Sequence, residues 1–433
     1  MQGSRLAITL KSLIQQHEEY RTNKSVIRRH EENLKKKTIA HEENQNTNMS
    51  EKRTKTTNMT HQQQRTSDFM SKLPPHLAMA IFCKLHIKSL IYCRRVSKVW
   101  RNLISDPCFA TFHLKKIILM FQFSGCNHRK PSCRKLFGRD IYMVDEDAIT
   151  KVNMDFHIPQ WYIKIIGSCN SLLCLCDDGP CPSVCFYISN PMTGEWMPLP
   201  KIERDMHHIS GFGFSSNTNQ YKVIRIPSSE RKVAEIYTVG TGTWRSIAYP
   251  PYLFYPSVHG IYLNGALHWI VLDDNRSTLI CAFDIGNEQF LTIPLPHVPF
   301  SEQGRLIGWA NLGVIEGCLC VCARGSTVAI WVMREYGVKE SWTKELVINF
   351  PVVPWWDENE RRWWGDGWFQ LIRYSINENT LMLSGKTNTN MVSYNPGTGG
   401  LAKLNDHGTR SKIEVFHHIP SFLSLEDIVM GKN

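Results

Sequence analysis

The pattern of apolar and polar positions divides the chain into three regimes. Up to about Arg65 the residues are mainly Gln, Asn, Thr, Lys and Glu. Leu10, Leu13, Ile14, Val26, Ile27 and Leu34 recur often enough for a loose helix or two between Leu6 and Lys37, and His41 to Thr66 reads as a disordered linker. Between Leu73 and Ile104 the period is helical. Leu77, Ile81 and Leu85 recur every fourth residue behind Pro75, a residue suited to a first helical turn. A second helix opens near Lys88–Ser89 and carries Leu90 and Ile91. Val96, Val99, Trp100 and Leu103 follow the spacing of a third, which Asp106–Pro107 stops. Phe109 to Phe123 leads out of the helices, and from about Arg139 the pattern becomes strand-like.

Helices of about 8 to 10 residues are marginal alone, and a unit of about 40 residues has too little interior to bury this many apolar groups. Two coverings are open: the helices cap the rest of this chain, or they present an apolar patch to another protein.

The strand-like region repeats. Asn190-Pro191-Met192-Thr193-Gly194-Glu195-Trp196, Tyr237 through Trp244, Phe283 through Phe290 and Met333 through Trp342 each read as strand, tight polar or Gly turn, then an aromatic, with a degenerate fifth copy at Tyr394 to Leu401. The aromatics at 196, 244, 290 and 342 are 48, 46 and 52 residues apart, the period of a β-propeller blade. Each is predicted to wedge between blades as a packing residue. Arg139 to Val144 before these copies and Ile413 to His417 after them are also strand-like. A ring of six blades follows, the sixth shared between the two ends of the body so that no sheet edge stays open.

Two resemblances rest on these residues. Leu73-Pro74, the Leu77/Ile81/Leu85 stripe, Lys88-Ser89-Leu90, and Val96-Ser97-Lys98-Val99-Trp100-Arg101 with Leu103-Ile104 resemble the F-box motif in residue type, order and spacing; His76, Ala80 and His86 depart from it. The Asn-Pro-Met-Thr-Gly turn, Gly265 to Trp269 and Gly317-Cys318-Leu319 resemble the F-box-associated domain of plants, a kelch-like propeller region. The expected fold is therefore mainly β with a small α domain: a three-helix F-box followed by a kelch-like β-propeller of six blades. The expected boundaries are a polar tail at 1–66, the F-box at 67–112, a connector at 113–138, the propeller at 139–425 and a short tail at 426–433. The first resemblance implies docking by apolar contact on the Skp-type adaptor of cullin-RING ubiquitin ligases, through Leu73, Pro74, Leu77, Ile81, Leu85, Leu90, Val96 and Trp100.

Charge and cysteine content narrow the function further. The formal charge is +11, but residues 1–66 hold 13 Lys and Arg against 7 Asp and Glu, so much of it sits on the polar tail. With no aromatic-studded basic groove, nucleic acid is not an expected partner. The Lys35-Lys36-Lys37 run reads as a solvated face, with a nuclear signal as the alternative. The longest apolar run, Ile117 to Phe123, is far short of the ~20 residues that cross a bilayer, and no secretory leader is read, so an intracellular soluble protein of cytoplasm or nucleus is expected. Fourteen cysteines are too sparse for a disulfide scaffold. Cys174/Cys176 and Cys318/Cys320/Cys322, spaced by two, fit one face of a strand as small apolar residues. Cys126-x-His128-x₄-Cys133 and Cys181-x₃-Cys185 lack the second pair a zinc site needs.

No P-loop, nucleophile elbow, zincin or kinase motif occurs, and no catalytic residue, cofactor or metal is assigned. His207-His208, His417-His418, Tyr252, Tyr255, His259 and Cys281 would be the material for a copper site of kelch-fold oxidases, but adjacent histidines on a strand point to opposite faces. The favoured expectation is a non-catalytic substrate receptor of an SCF-type ubiquitin ligase, set against an interaction protein working outside a ligase and, behind both, the copper oxidase. For the target surface, five of thirteen Trp fall within 355–368, and Trp355, Trp356, Arg361, Arg362, Trp363 and Trp364 are the residue types most enriched at interface hot spots.

Overall fold

The computed structural model describes residues 75–106, 109, 118–125, 140–145, 148–151, 163–177, 183–203, 208–227, 233–254, 260–296, 310–324, 327–348, 369–375, 380–385, 391–403 and 411–430. Three short helices come first: α1 (Pro75–Phe82), α2 (Ile87–Val96) and α3 (Lys98–Ile104). Ser97 separates the last two. Its backbone is extended, and its Oγ accepts the Trp100 N–H at 3.1 Å, the usual way a serine satisfies a donor in a helix's first turn. This cap corrects one reading: Val96 closes α2 and does not open α3. Leu85 likewise lies past the end of α1, where Lys84 and Leu85 donate to the carbonyls of Ile81 and Phe82 in a tightened turn.

Strands make up most of the rest of the described residues, in antiparallel sheets that have four strands except the fourth, which has five, and a small two-stranded pair. The second sheet runs Ile163–Cys169, Leu172–Asp177, Phe186–Asn190, Glu195–Pro198, and the third His208–Ser215, Gln220–Pro227, Ala234–Thr238, Trp244–Ile247. In the fourth, Leu253–Phe254 and Ile261–Leu263 share the edge of Ala266–Leu272, followed by Thr278–Asp284 and Gln289–Ile293. The fifth is Ala310–Ile315, Cys318–Arg324, Val328–Met333, Trp342–Ile348, and the sixth Phe369–Ser375, Thr380–Gly385, Met391–Asn395, Gly400–Lys403. The first sheet joins the two ends of the body: Ser411–His418 pairs with Ile118–Gly125, which pairs with Asp140–Asp145 and then Ala148–Lys151. Sharing between the ends is as the strand pattern predicted. The strand Ile118–Gly125, however, lies inside the expected connector, so that stretch belongs to the sheet system.

First strands of consecutive sheets abut one another, from Ser411–His418 against Ile163–Cys169 to Ala310–Ile315 against Phe369–Ser375. Tight two-residue turns keep the strands in register. Asn264-Gly265 and Glu316-Gly317 both carry positive φ, the backbone of the hairpin turn whose twist matches its strands. Gly213 permits the close approach of the fourth sheet, because a Cβ there would fall 2.2 Å from Ile285 Cδ1.

The repeated aromatics stand at the starts of the fourth strands; Trp244 and Trp342 pack between sheets, whereas Phe290 and Trp196 pack on rings of their own sheets. Trp244 lies 5.5 Å from the Phe186 ring and donates its indole N–H to the Pro200 carbonyl at 2.8 Å. Trp342 repeats the arrangement one sheet pair later, donating to the Pro294 carbonyl at 2.9 Å. Phe290 packs on Phe283, and Trp196 on Tyr187. Cys174, Cys176, Cys320 and Cys322 are buried in the sheet cores, as their spacing predicted, and form no disulfide. Among the described residues no helix is long and apolar enough to cross a membrane.

The segment from 426 onward, read as a tail, instead begins inside a short helix, α4 (Leu425–Val429). Ser424 caps it, and Leu425 and Ile428 are buried against the second and third sheets.

Candidate functional site

The eight residues of α1, PHLAMAIF, are apolar around most of the helix circumference. Such a helix has no natural water side and needs cover on two faces. The chain supplies one cover. Ala78 and Phe82 point inward with Ile87, Leu90, Ile104 and Phe109, and these form one continuous core with Met120, Ile141, Met143, Leu175, Tyr187, Met192 and Phe422 of the β body. Trp100 stands edge-on to Phe82 at 5.1 Å, bracing α3 against α1.

Other apolar side chains of the unit are left uncovered. Leu77 is 46% exposed, Ile81 42%, Val96 58% and Val99 54%, and Tyr92 stands exposed one turn before Val96. The expected contact residues therefore separate into two groups. Leu77, Ile81 and Val96 lie on the open face. Leu90 is fully buried in the chain's own core, and Leu85 and Trp100 are half-buried against it, so these three shape the unit from within. Leu73 and Pro74 lie outside the described residues, as do Trp355, Trp356, Arg361, Arg362, Trp363 and Trp364. Tyr92 and Val99 join the exposed group without having been singled out. Tyr92 and Val96 are spaced i, i+4, which is the signal that would have found the pair.

Arg94 anchors the inner face electrostatically. Its Nη1 reaches the Met192 carbonyl at 3.5 Å and its Cζ lies 5.4 Å from the centre of the Phe422 ring. Burial pulls its pKa below the usual arginine value, while the negative charge of Glu195 acts in the opposite direction.

The polar clusters outside the helices are structural. His268 Nδ1 faces the Ile261 carbonyl at 2.9 Å, an acceptor, so Nδ1 carries the proton and Nε2 is free to accept the Tyr336 hydroxyl at 2.6 Å. Burial holds this imidazole down to about 4 and that of His418, beside Ser168 Oγ at 2.9 Å, to about 3. Tyr252 packs in the cluster that holds Cys281, but His208 lies near Cys176 and His418 near Ser168, so among the described residues the copper candidates are not gathered into one site. His207, Tyr255 and His259 lie outside the described residues, as do Cys126, His128, Cys133 and Cys181. Among the described residues no three His, Cys, Asp or Glu are grouped to hold a metal.

Comparison with known families and proteins adds a second line of observation. A family model described as F-box associated beta propeller domain matches residues 109–363, and one described as F-box domain matches residues 70–112. F-box protein At3g07870 of Arabidopsis thaliana is 26% identical over 384 residues, covering 78% of this chain and 88% of its own length. F-box protein CPR1 of the same plant is 26% identical over 327 residues, covering 65% of this chain and 74% of its own. Among solved structures, a chain of a nidogen/laminin complex aligns with a TM-score of 0.40 at 10% identity, covering 71% of this chain and 100% of that one.

Proposed function

The chain belongs to the F-box proteins that carry an F-box associated beta propeller domain, a non-catalytic family of substrate-recognition proteins, and on that premise we propose that it is the target receptor of an SCF-type ubiquitin ligase. The observation that carries this reading is the open stripe of Leu77, Ile81, Val96 and Val99 on a helical unit whose other side is already used. Exposed apolar side chains on a small helical unit favour a partner surface, and the F-box match supports a Skp-type adaptor as that partner. Leu73 and Pro74 extend the same contact, with Leu85, Leu90 and Trp100 holding its shape.

The receptor does no covalent chemistry. It raises the local concentration of target lysines near a ubiquitin-loaded conjugating enzyme, and this requires two binding surfaces held at a fixed separation. In this reading the sheets make a six-bladed kelch-like ring, closed by the shared first sheet; the pairing of Ser411–His418 with Ile118–Gly125 supports closure.

The second surface is proposed at Trp355, Trp356, Arg361, Arg362, Trp363 and Trp364, in the connection between the fifth and sixth sheets. The topology favours it. The helical unit touches the second sheet at a turn between third and fourth strands, whereas this connection joins a fourth strand to the next first strand. In a ring of equivalent antiparallel blades those two kinds of connection lie at opposite ends, which leaves the target end clear of the adaptor.

Co-purification of the full chain with a Skp-type adaptor tests the reading. Stable association is expected, and failure to associate with the β body folded would favour an interaction protein outside a ligase. Single Trp-to-Ala changes at 355, 356, 363 and 364, scored for melting, adaptor binding and target capture, test the second surface. A contact residue loses capture alone.

A further inference from the structure

After Ser411–His418 completes the first sheet, the chain crosses the turn between the third and fourth strands of the second sheet and settles in α4. Asn190, at the start of that turn, is fully buried. Its Nδ2 donates to the Ser421 carbonyl at 3.0 Å and the Leu423 carbonyl at 2.8 Å, and its Oδ1 accepts the Met192 N–H at 2.9 Å. An amide with both donors spent on one passing segment selects that segment's backbone path. At the other end of the turn, Glu195 Oε2 accepts the Leu425 N–H at 2.6 Å, the N-terminus of α4. Between these two fixings Phe422, 1% exposed, enters the core shared with α1–α3, under the guanidinium of Arg94.

We infer that residues 419–430 are a clamp that fixes the orientation of the helical unit on the β body. The helical unit and the β body share one core, to which Phe109 contributes from the near side and Phe422 from the far end of the chain. The clamp is also releasable. A five-residue helix has no stability of its own, so α4 stays only while the turn at 190–195 and the two cores hold it. Where the chain acts as a receptor, a clause that rests on the reading above, the clamp sets the distance between adaptor and target.

Hydrogen exchange on the full chain, on Phe422→Ala, on Asn190→Ala and on a chain ending at His418 tests the clamp. Amides of 87–104 are expected to exchange at least tenfold faster in the variants, while those of 266–272 and 318–324 keep their protection. A synthetic peptide of residues 419–433 added to the shortened chain should restore slow exchange. Unchanged exchange in 87–104 would overturn the inference. So would an equal loss in 266–272 and 318–324, because the segment would then be part of the global fold. If the shortened chain does not fold, Phe422→Ala decides, since it leaves the Asn190 bonds in place. Adaptor pull-down on the wild type reads the function separately: no binding there sinks the receptor reading and leaves the clamp standing, and unchanged exchange does the reverse.

Discussion

The inward and outward faces of the helical unit use the same kinds of side chain a single residue apart. Ala78 and Phe82 are buried where Leu77 and Ile81 stand nearly half exposed, on one helix of eight residues. Composition and period do not distinguish them; cover does. The inner stripe closes on sheets of this chain and with them forms one core, so its area is already converted into folding stability. On the outer stripe nearly half of Leu77 and Ile81 is still in contact with water. A single helix thus divides its apolar surface between a covered stripe and an open one, and the open one is the surface proposed for association.

The largest way to break this comparison is to cut into the inner face. Phe82→Ala or Leu90→Ala should cost about 2–5 kcal/mol, the range for large-to-small changes at fully buried sites. Denaturant melts would show it, with adaptor binding lost only as the unit unfolds. A milder change that weakened binding at unaltered stability would instead place Phe82 in the outer surface.

Acid separates the body from the helical unit. The buried imidazoles of His268 and His418 are held to about 4 and about 3, below the ordinary 6.5. The unfolded chain therefore takes up protons first as pH falls. Their contribution is intact above pH 6.5 and declines as pH drops from there toward 4 and 3, by about 1.4 kcal/mol per pH unit for each histidine. Melting followed from pH 7.5 to 4.5 should trace this fall, and His418→Gln should reduce its slope. A flat profile would mean that neither ring is held neutral. Neither ring lies in the helical unit, so this loss belongs to the body.

A smaller effect sharpens the repeat. Trp342→Phe keeps the packing between sheets and removes the indole N–H bond to Pro294, a loss of about 1 kcal/mol in a thermal melt. Trp244→Phe, with its bond to Pro200, should cost the same; a large difference between them would deny that the two positions are equivalent.

Much of this was legible in the chain. Pro75 and the fourfold spacing mark the helices, and the aromatics at 196, 244, 290 and 342 mark fourth strands because the strand, turn and aromatic recur in successive sheets. The side on which a helix would be covered was not legible, since α1 is apolar almost all round and its period points both ways. Leu90 was placed at the surface by the motif resemblance and not by period. The strand Ile118–Gly125 was hidden because its ILMFQF run has no alternation. The closing segment escaped notice because α4 is too short to show a period, and Asn190 reads as an ordinary turn residue until Ser421 and Leu423 lie across it.

The outer stripe is assigned to association and not to folding. Titration of the full chain with a Skp-type adaptor, alongside denaturant unfolding, should be compared between the wild type and the Leu77→Ala, Ile81→Ala double variant. Stability should stay within about 1 kcal/mol while affinity falls about a hundredfold or more, as expected for two apolar contacts at an interface centre. An unchanged affinity, or a loss matched by equal destabilisation of the fold, would contradict it.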